Sequence, residues 1–227
     1  MTAGPADRCT AWTVVIPLKP IRLAKSRMGG LPGPLREALV VAMALDVRDA
    51  VLGCRDVDEV IVVSRDPRWR PILARGSVRF VSDAPEDSLN VALRRGALAG
   101  RRGGHERGIA ALTGDLPALT PEELGAALRS AAGRTSSFTA DARGTGTTLL
   151  AAPSHPDFHP CYGEGSRLRH LRAGARELGF PRRSGLRQDV DTPGDLAEAV
   201  LIGVGQHTRA VLLGQERAER VVLAVRH

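Results

Sequence analysis

The sequence predicts an α/β fold in which a mostly parallel sheet carries helices on both faces. Three observations point there. Short apolar runs rich in β-branched residues alternate with longer segments of helical apolar spacing, and each run ends in a polar loop. The 227 residues contain no internal repeat and no low-complexity linker. One domain with a sizeable core therefore accounts for the length.

The elements follow in order. Ala11–Leu18 (AWTVVIPL) reads as a buried first strand that runs into a basic loop. Pro34 suits a helix start, and Leu35–Leu52 carries apolar residues at helical spacing. Glu59–Ser64 is a second buried strand and Val78–Val81 a third. Ser88 caps a helix through about Ala99, and Gly100–Gly104 turns the chain. Gly108–Thr113 is the fourth strand, and Thr120-Pro121-Glu122-Glu123 opens the next helix with a capping pattern.

From Ser136 the rhythm changes. Ser137–Ala140 and Thr147–Ala152 flank Gly144-Thr145-Gly146, as two strands joined by a tight turn, a small hairpin insertion. A helix is expected from about Ser166 to Leu178, a short strand ending near Val190, and a helix from Pro193 through Leu201. Gln206–His227 reads as a helix followed by a tail.

Composition narrows the function. The longest apolar run, Ala38–Leu45, is far short of the roughly 20 residues a membrane span needs. The opening residues MTAGPADRCTA lack a basic-then-apolar export signal. Cys9, Cys54 and Cys161 are odd in number and scattered, which offers neither a disulfide framework nor a Cys-x-x-Cys metal site. A cytoplasmic protein with no membrane partner is expected. The net charge of +7 fits anionic ligands. Nucleic acid is the weaker choice, because the basic residues are dispersed and aromatics are only 3% of the chain, too few for base-stacking platforms. Phosphorylated small molecules fit the same charge.

Of the 32 basic residues only Lys19 and Lys25 are lysines, and both lie in one loop. A chain that writes Arg almost everywhere keeps Lys where a compact ammonium is needed. The loop Pro17–Arg27 leaves the first strand with several cations and suits a polyphosphate, with Lys as point charge and Arg as fork. It is not a Walker A loop.

Carboxylates stand at two other strand ends. Asp115 follows the fourth strand in Thr113-Gly114-Asp115-Leu116-Pro117, and Asp189-Val190-Asp191 places two carboxylates at i and i+2, facing the same way if extended. Together they suit Mg²⁺ or Mn²⁺, with helix capping by Asp191 or Thr192 as the competing role. Gly163-Glu164-Gly165-Ser166 opens an Arg-rich helix and suits an anion, with Thr147 and Thr148 able to add hydroxyls. His155, His159, His170 and Cys161 match no zinc spacing.

Taken together, PLK (Pro17–Lys19), AKSR (Ala24–Arg27), LN (Leu89–Asn90), GDLPAL (Gly114–Leu119), GTGTTLL (Gly144–Leu150), YGEGSRLRH (Tyr162–His170) and DVDTPGDL (Asp189–Leu196) resemble the 2-phospholactate and phosphoenolpyruvate guanylyltransferases of deazaflavin coenzyme (coenzyme F-420) biosynthesis. The resemblance implies a single-domain nucleotidyltransferase of GT-A, Rossmann-like type over residues 1–208, with 209–227 as a C-terminal extension. It implies attack of a substrate phosphate on the α-phosphate of GTP, dependent on Mg²⁺ or Mn²⁺. By that pattern Lys19, Lys25 and Arg27 hold the triphosphate, Asp115, Asp189 and Asp191 the metal, and Thr148, Gly163 and Ser166 a phosphorylated three-carbon acid. The Arg-heavy composition points to a GC-rich genome and, within the family, to phosphoenolpyruvate. 2-Phospho-L-lactate and 3-phosphoglycerate stay open as acids, as does a homodimer. A molybdopterin nucleotidyltransferase would begin with a Leu-Ala-Gly-Gly loop, and a metal-dependent glycosyltransferase would carry its Asp-x-Asp mid-chain.

Overall fold

The computed structural model describes residues 11–85, 88–101, 108–133 and 135–214. Seven strands form one sheet: β1 (Trp12–Pro17), β2 (Val57–Val63), β3 (Val78–Val81), β4 (Gly108–Leu112), β5 (Ser137–Ala140), β6 (Thr147–Ala152) and β7 (Arg176–Glu177). Their order is β3-β2-β1-β4-β6-β5-β7. The first four are parallel, and β6 is antiparallel to both β4 and β5. The hairpin read from the glycine turn thus lies inside the sheet, with its return strand β6 filling the place beside β4.

The helices are α1 (Gly33–Gly53), α2 (Trp69–Leu73), α3 (Leu89–Arg101), α4 (Pro121–Ala131), α5 (Ser166–Arg172) and α6 (Pro193–Ile202). Strand alternation divides the core. Trp12, Val14 and Ile16 of β1 face one side and pack with Val40, Val47 and Val51 of α1 and Leu124 and Leu128 of α4. Val15 faces the other side, with Ile61, Ile109, and Ala92 and Leu93 of α3. Both faces of the central strands are covered, which explains why they read as near-continuous apolar runs. Each fully buried Val, Leu or Ile there contributes about 1.5–3 kcal/mol. A third cluster joins Met28, Leu39 and Met43 to Val190, Leu196 and Ala199, and seats α6 beside α1.

Caps fix where helices begin. Thr120 and Glu123 form a reciprocal capping box at α4, and Thr192 and Asp195 form another at α6. Residues 206–214 are helical. Asp46 of α1 accepts from the His207 and Thr208 amides at 2.9 Å each, capping that helix from a distant element. This helix spans the boundary expected at residue 208, and the rest of the expected tail, like most of the expected turn at 100–104, lies outside the described residues. No described helix is long and apolar enough to cross a membrane.

Two expectations are corrected. The helix starting at Ser166 ends at Arg172, not Leu178, because Gly174 turns the chain at φ 85° and Arg176–Glu177 pair with β5 as an edge strand. No strand ends near Val190. Residues 184–191 are irregular, tied by Ser184 carbonyl contacts to the Arg187 and Gln188 amides, and Val190 gives its amide to Asp115 O at 3.1 Å. A single cross-link with Pro193 close behind does not make a ladder.

Candidate active site

A cavity of about 520 Å³ opens at the carboxyl ends of the four parallel strands. Its walls include Pro17 and Leu18 after β1, Val63 of β2, Asp83 after β3 and Thr113–Asp115 after β4. Ligands of open α/β sheets bind at this edge.

The basic loop is anchored from β2's side. Trp69 Nε1 donates to Lys19 O at 3.0 Å, and the Ile21 amide donates to Asp66 Oδ2 at 3.0 Å. Asp66 is itself gripped by Arg68, whose hydrogen bonds outweigh partial burial and bring the carboxyl down to about 2. Ile21–Leu23 forms one tight helical turn, and the loop then places Lys25 at φ 56°. A lysine in this left-handed region is strained by about 1 kcal/mol or more, which the surrounding contacts must hold in place.

Those contacts are carboxylates. Lys25 Nζ binds Asp115 Oδ2 and lies 2.8 Å from Asp191 Oδ1. Burial disfavours the ammonium, but Asp115 and Asp191 more than compensate and hold Lys25 well above its ordinary value. Asp191, in turn, is kept below the usual carboxylate range despite burial, chiefly by Lys25 and then Arg27. Asp189 has the opposite fate: burial, then the charges of Asp115, Asp141 and Asp191, push it up to about 7.

Of the nine residues expected at the site, Lys19, Lys25, Asp115 and Asp191 line the cavity. Arg27 is exposed, 3.8 Å from Asp191 at its rim. Asp189 is held nearby through Val190, whose amide meets Asp115 O. The three carboxylates share one region, but Asp115 and Asp191 are taken up by the Lys25 ammonium, and among the described residues no three His, Cys, Asp or Glu converge on a common metal position. The donor set still fits a divalent cation: Asp115 Oδ1 is buried with no hydrogen-bond partner among the described residues, and the negative charges of Asp115, Asp141 and Asp191 around Asp189 outweigh the nearby Lys25.

The residues expected for the acid do not line the cavity. Thr148 is buried; its hydroxyl donates to Leu186 O at 2.7 Å, and its carbonyl accepts the Thr113 amide at 3.0 Å. The hairpin turn does meet the start of α5, since the Arg167 amide donates to Thr145 O at 3.2 Å. Gly163 has φ 117°, and an added Cβ would stand 2.7 Å from Arg169 Nη2. Ser166 is buried at the first turn of a seven-residue helix, shorter than expected, so its macrodipole is small.

Other parts of the site carry no local signal. Asn90 forms a two-way amide clamp, donating to Tyr162 O at 3.1 Å and accepting from Tyr162 N at 2.8 Å, and so fastens the 162–166 loop to the start of α3. Glu123 accepts from Ser184 Oγ at 2.7 Å and the Gly185 amide at 3.0 Å, supporting the turn that receives Thr148. The Asn90 partnership joins positions 72 apart in the chain, and only the family pattern marked Asn90 at all.

The model of the guanylyl transferase CofC-like family matches residues 12–216. The chain belongs to this family. A phosphoenolpyruvate guanylyltransferase of Thermomonospora curvata is 48% identical over 205 residues, covering 90% of each chain. One of Geodermatophilus obscurus is 46% identical, covering 91% of this chain and 96% of that one. Among solved structures, a nucleotidyl transferase from Methanothermobacter thermautotroptrophicus is 26% identical with a TM-score of 0.59, covering 85% of this chain and 97% of the other. A structure from Desulfovibrio desulfuricans G20, provisionally named a nucleotide-diphospho-sugar transferase, superposes with a TM-score of 0.68 at 16% identity, over 92% and 96% of the two chains, and shares the fold. This CofC-like chain is thus a guanylyltransferase with a nucleotidyltransferase fold.

Proposed function

We propose that the enzyme transfers GMP from GTP to the phosphate of phosphoenolpyruvate, releasing pyrophosphate and giving enolpyruvoyl-2-diphospho-5'-guanosine, as a cytoplasmic step of coenzyme F-420 biosynthesis. The observation that carries this is the meeting of Lys25, Asp115 and Asp191 at the cavity edge of four parallel strands, in a chain whose relatives bear that name.

A phosphate oxygen of the acid forms the new bond to the α-phosphorus of GTP. The bond from that phosphorus to the β-bridging oxygen breaks, and pyrophosphate leaves with the electron pair. The attacking phosphate is already anionic, so no general base is required. The protein's task is to hold two mutually repelling anions together and to offset charge on the leaving group.

Asp115, Asp189 and Asp191 are the residues that would hold Mg²⁺ or Mn²⁺. When bound, that cation would neutralise phosphate charge and favour departure of pyrophosphate. Lys19 and Lys25 supply ammonium groups inside the cavity and Arg27 a guanidinium at its rim. For the acid, Gly163 and Ser166 would offer close backbone approach and a hydroxyl. Thr148 would contribute only by turning its hydroxyl away from Leu186 O.

Pyrophosphate release from GTP tests the reading, with phosphoenolpyruvate, 2-phospho-L-lactate and 3-phosphoglycerate as separate acceptors. Phosphoenolpyruvate should give the highest kcat/KM. A preference of tenfold or more for either other acid overturns the choice of acceptor.

A further inference from the structure

The cavity has an end that the phosphate chemistry leaves unused. Asp83, two residues beyond β3, lines it, and its Oδ1 is shut off from solvent with no hydrogen-bond partner among the described residues. β3 and β4 are three positions apart in the sheet. At about 4.8 Å per strand, their ends, and with them Asp83 and Asp115, are separated by about 14 Å. An extended nucleoside triphosphate spans a comparable distance from its α-phosphate to the far edge of its base. Leu18, Val63, Leu89 and Ala92 line the same cavity and give a base plane apolar surface to rest on. The segment bearing Asp83 is braced from α3, because Arg95 Nη1 donates to Ser82 O at 3.1 Å and to Ala84 O at 2.8 Å.

We propose that Asp83 reads the guanine base, its carboxylate accepting from N1–H and the 2-amino group in parallel. The proposal rests on the guanylyltransferase reading and adds to it the residue that selects the nucleotide. A buried carboxylate oxygen without a donor is costly, and a base edge with two adjacent donors satisfies the carboxylate. Guanine has such an edge. Adenine and cytosine present a ring lone pair beside one amino group, and uracil a single N–H between two carbonyls. Hypoxanthine keeps N1–H and lacks the amino group, so it isolates one of the two contacts. Because Oδ1 is shut off from solvent where it stands, the reading requires the carboxylate to turn about its broad terminal torsion when the base enters.

The test is calorimetric titration with GTP, ITP and ATP in the presence of Mg²⁺ and with no acid. The unmodified protein should bind GTP about tenfold or more tighter than ITP, and ATP more weakly still. Asp83→Asn and Asp83→Ala should weaken GTP about ten- to hundredfold and bring GTP and ITP within about twofold of each other. Affinity for pyrophosphate should be unchanged in both, which also shows that the variants are folded. A variant that keeps the GTP-to-ITP ratio overturns the proposal. So does an equal loss for both nucleotides, which would place Asp83 on the ribose. Selective GTP binding that Asp83→Asn abolishes, in an enzyme forming no product with any of the three acids, upholds Asp83 and removes the acceptor reading instead. Equal binding of GTP and ATP by the unmodified protein overturns both.

Discussion

Lys25 and Asp191, 166 positions apart in sequence, meet at 2.8 Å across the mouth of the cavity. The contact links the first strand's loop to the cap of α6, and the same ammonium also binds Asp115 after β4. Three loops from three strand or helix ends thus converge on one charge. Asp191 serves here as a partner for a cation, while the capping role at α6 falls to Thr192 and Asp195.

The ammonium geometry makes Lys25→Arg informative. A guanidinium keeps the charge but is planar and wider, and it must fit between two carboxylates from a strained φ of 56°. We expect kcat/KM for GTP to fall about tenfold or more with the fold retained. Near-native kinetics would mean that any cation suffices.

Activity should require a divalent cation. Asp115→Asn and Asp191→Asn should each lower kcat by about a hundredfold or more, and excess EDTA should abolish turnover until Mg²⁺ or Mn²⁺ is restored. Full turnover in EDTA contradicts the assignment of these carboxylates.

His170 gives a pH prediction for stability. It is fully buried, bonded at 2.9 Å to Thr147 Oγ1 and accepting the Cys161 amide at 3.0 Å. Burial, with Arg169 nearby, lowers it to about 4. The unfolded chain takes up this proton near pH 6.5 and the folded chain only near pH 4. The contribution is therefore complete above about pH 6.5 and is lost as pH falls toward 4. Urea unfolding at pH 5 and pH 7.5 should show a smaller stability difference in His170→Gln than in the unmodified protein. Equal differences would contradict it.

Ser166→Ala and Gly163→Ala probe the acid loop. Loss of one hydrogen bond to a charged oxygen should weaken phosphoenolpyruvate about tenfold or more in Ser166→Ala, with GTP affinity kept. Gly163→Ala should also destabilise the fold, because a residue with a Cβ is strained at φ 117°, whereas the Arg169 guanidinium 2.7 Å from that Cβ is a flexible tip that can give way. Calorimetry with each ligand separates the outcomes; a loss confined to GTP would exchange the two subsites.

Gly185→Ala tests the support beneath Thr148. A Cβ there would lie 1.9 Å from Ala118 O and 2.9 Å from Glu123 Oε2. Backbone must move, and a loss of about 3 kcal/mol or more in chemical denaturation is expected. An unchanged midpoint would show that this turn yields freely.

The alternation of strands and helices was legible because buried parallel strands and amphipathic helices leave separate marks, and the capping box at Thr120 appears where its pattern stood. The hairpin was legible from Gly144 and its flanking strands. Its place inside the sheet was not, since the pairing of β6 with β4 is long-range. The irregular path through Val190 and the early stop at Gly174 were decided by tertiary contacts and by one left-handed residue. The site loops were legible as charge at strand ends. That Lys25 sits between Asp115 and Asp191, that Asn90 clamps Tyr162, and that Asp83 Oδ1 has no donor among the described residues could not be read locally, because each partner lies far along the chain or is missing from the described hydrogen bonds.

The central claim is that a bond forms between the acid's phosphate and the α-phosphorus of GTP. Phosphorus NMR of a reaction with GTP, phosphoenolpyruvate and Mg²⁺ tests it most directly. The account predicts two mutually coupled resonances of an unsymmetrical diphosphate diester, growing in step with one equivalent of pyrophosphate. Pyrophosphate accompanied by free GMP and unconsumed phosphoenolpyruvate would contradict it.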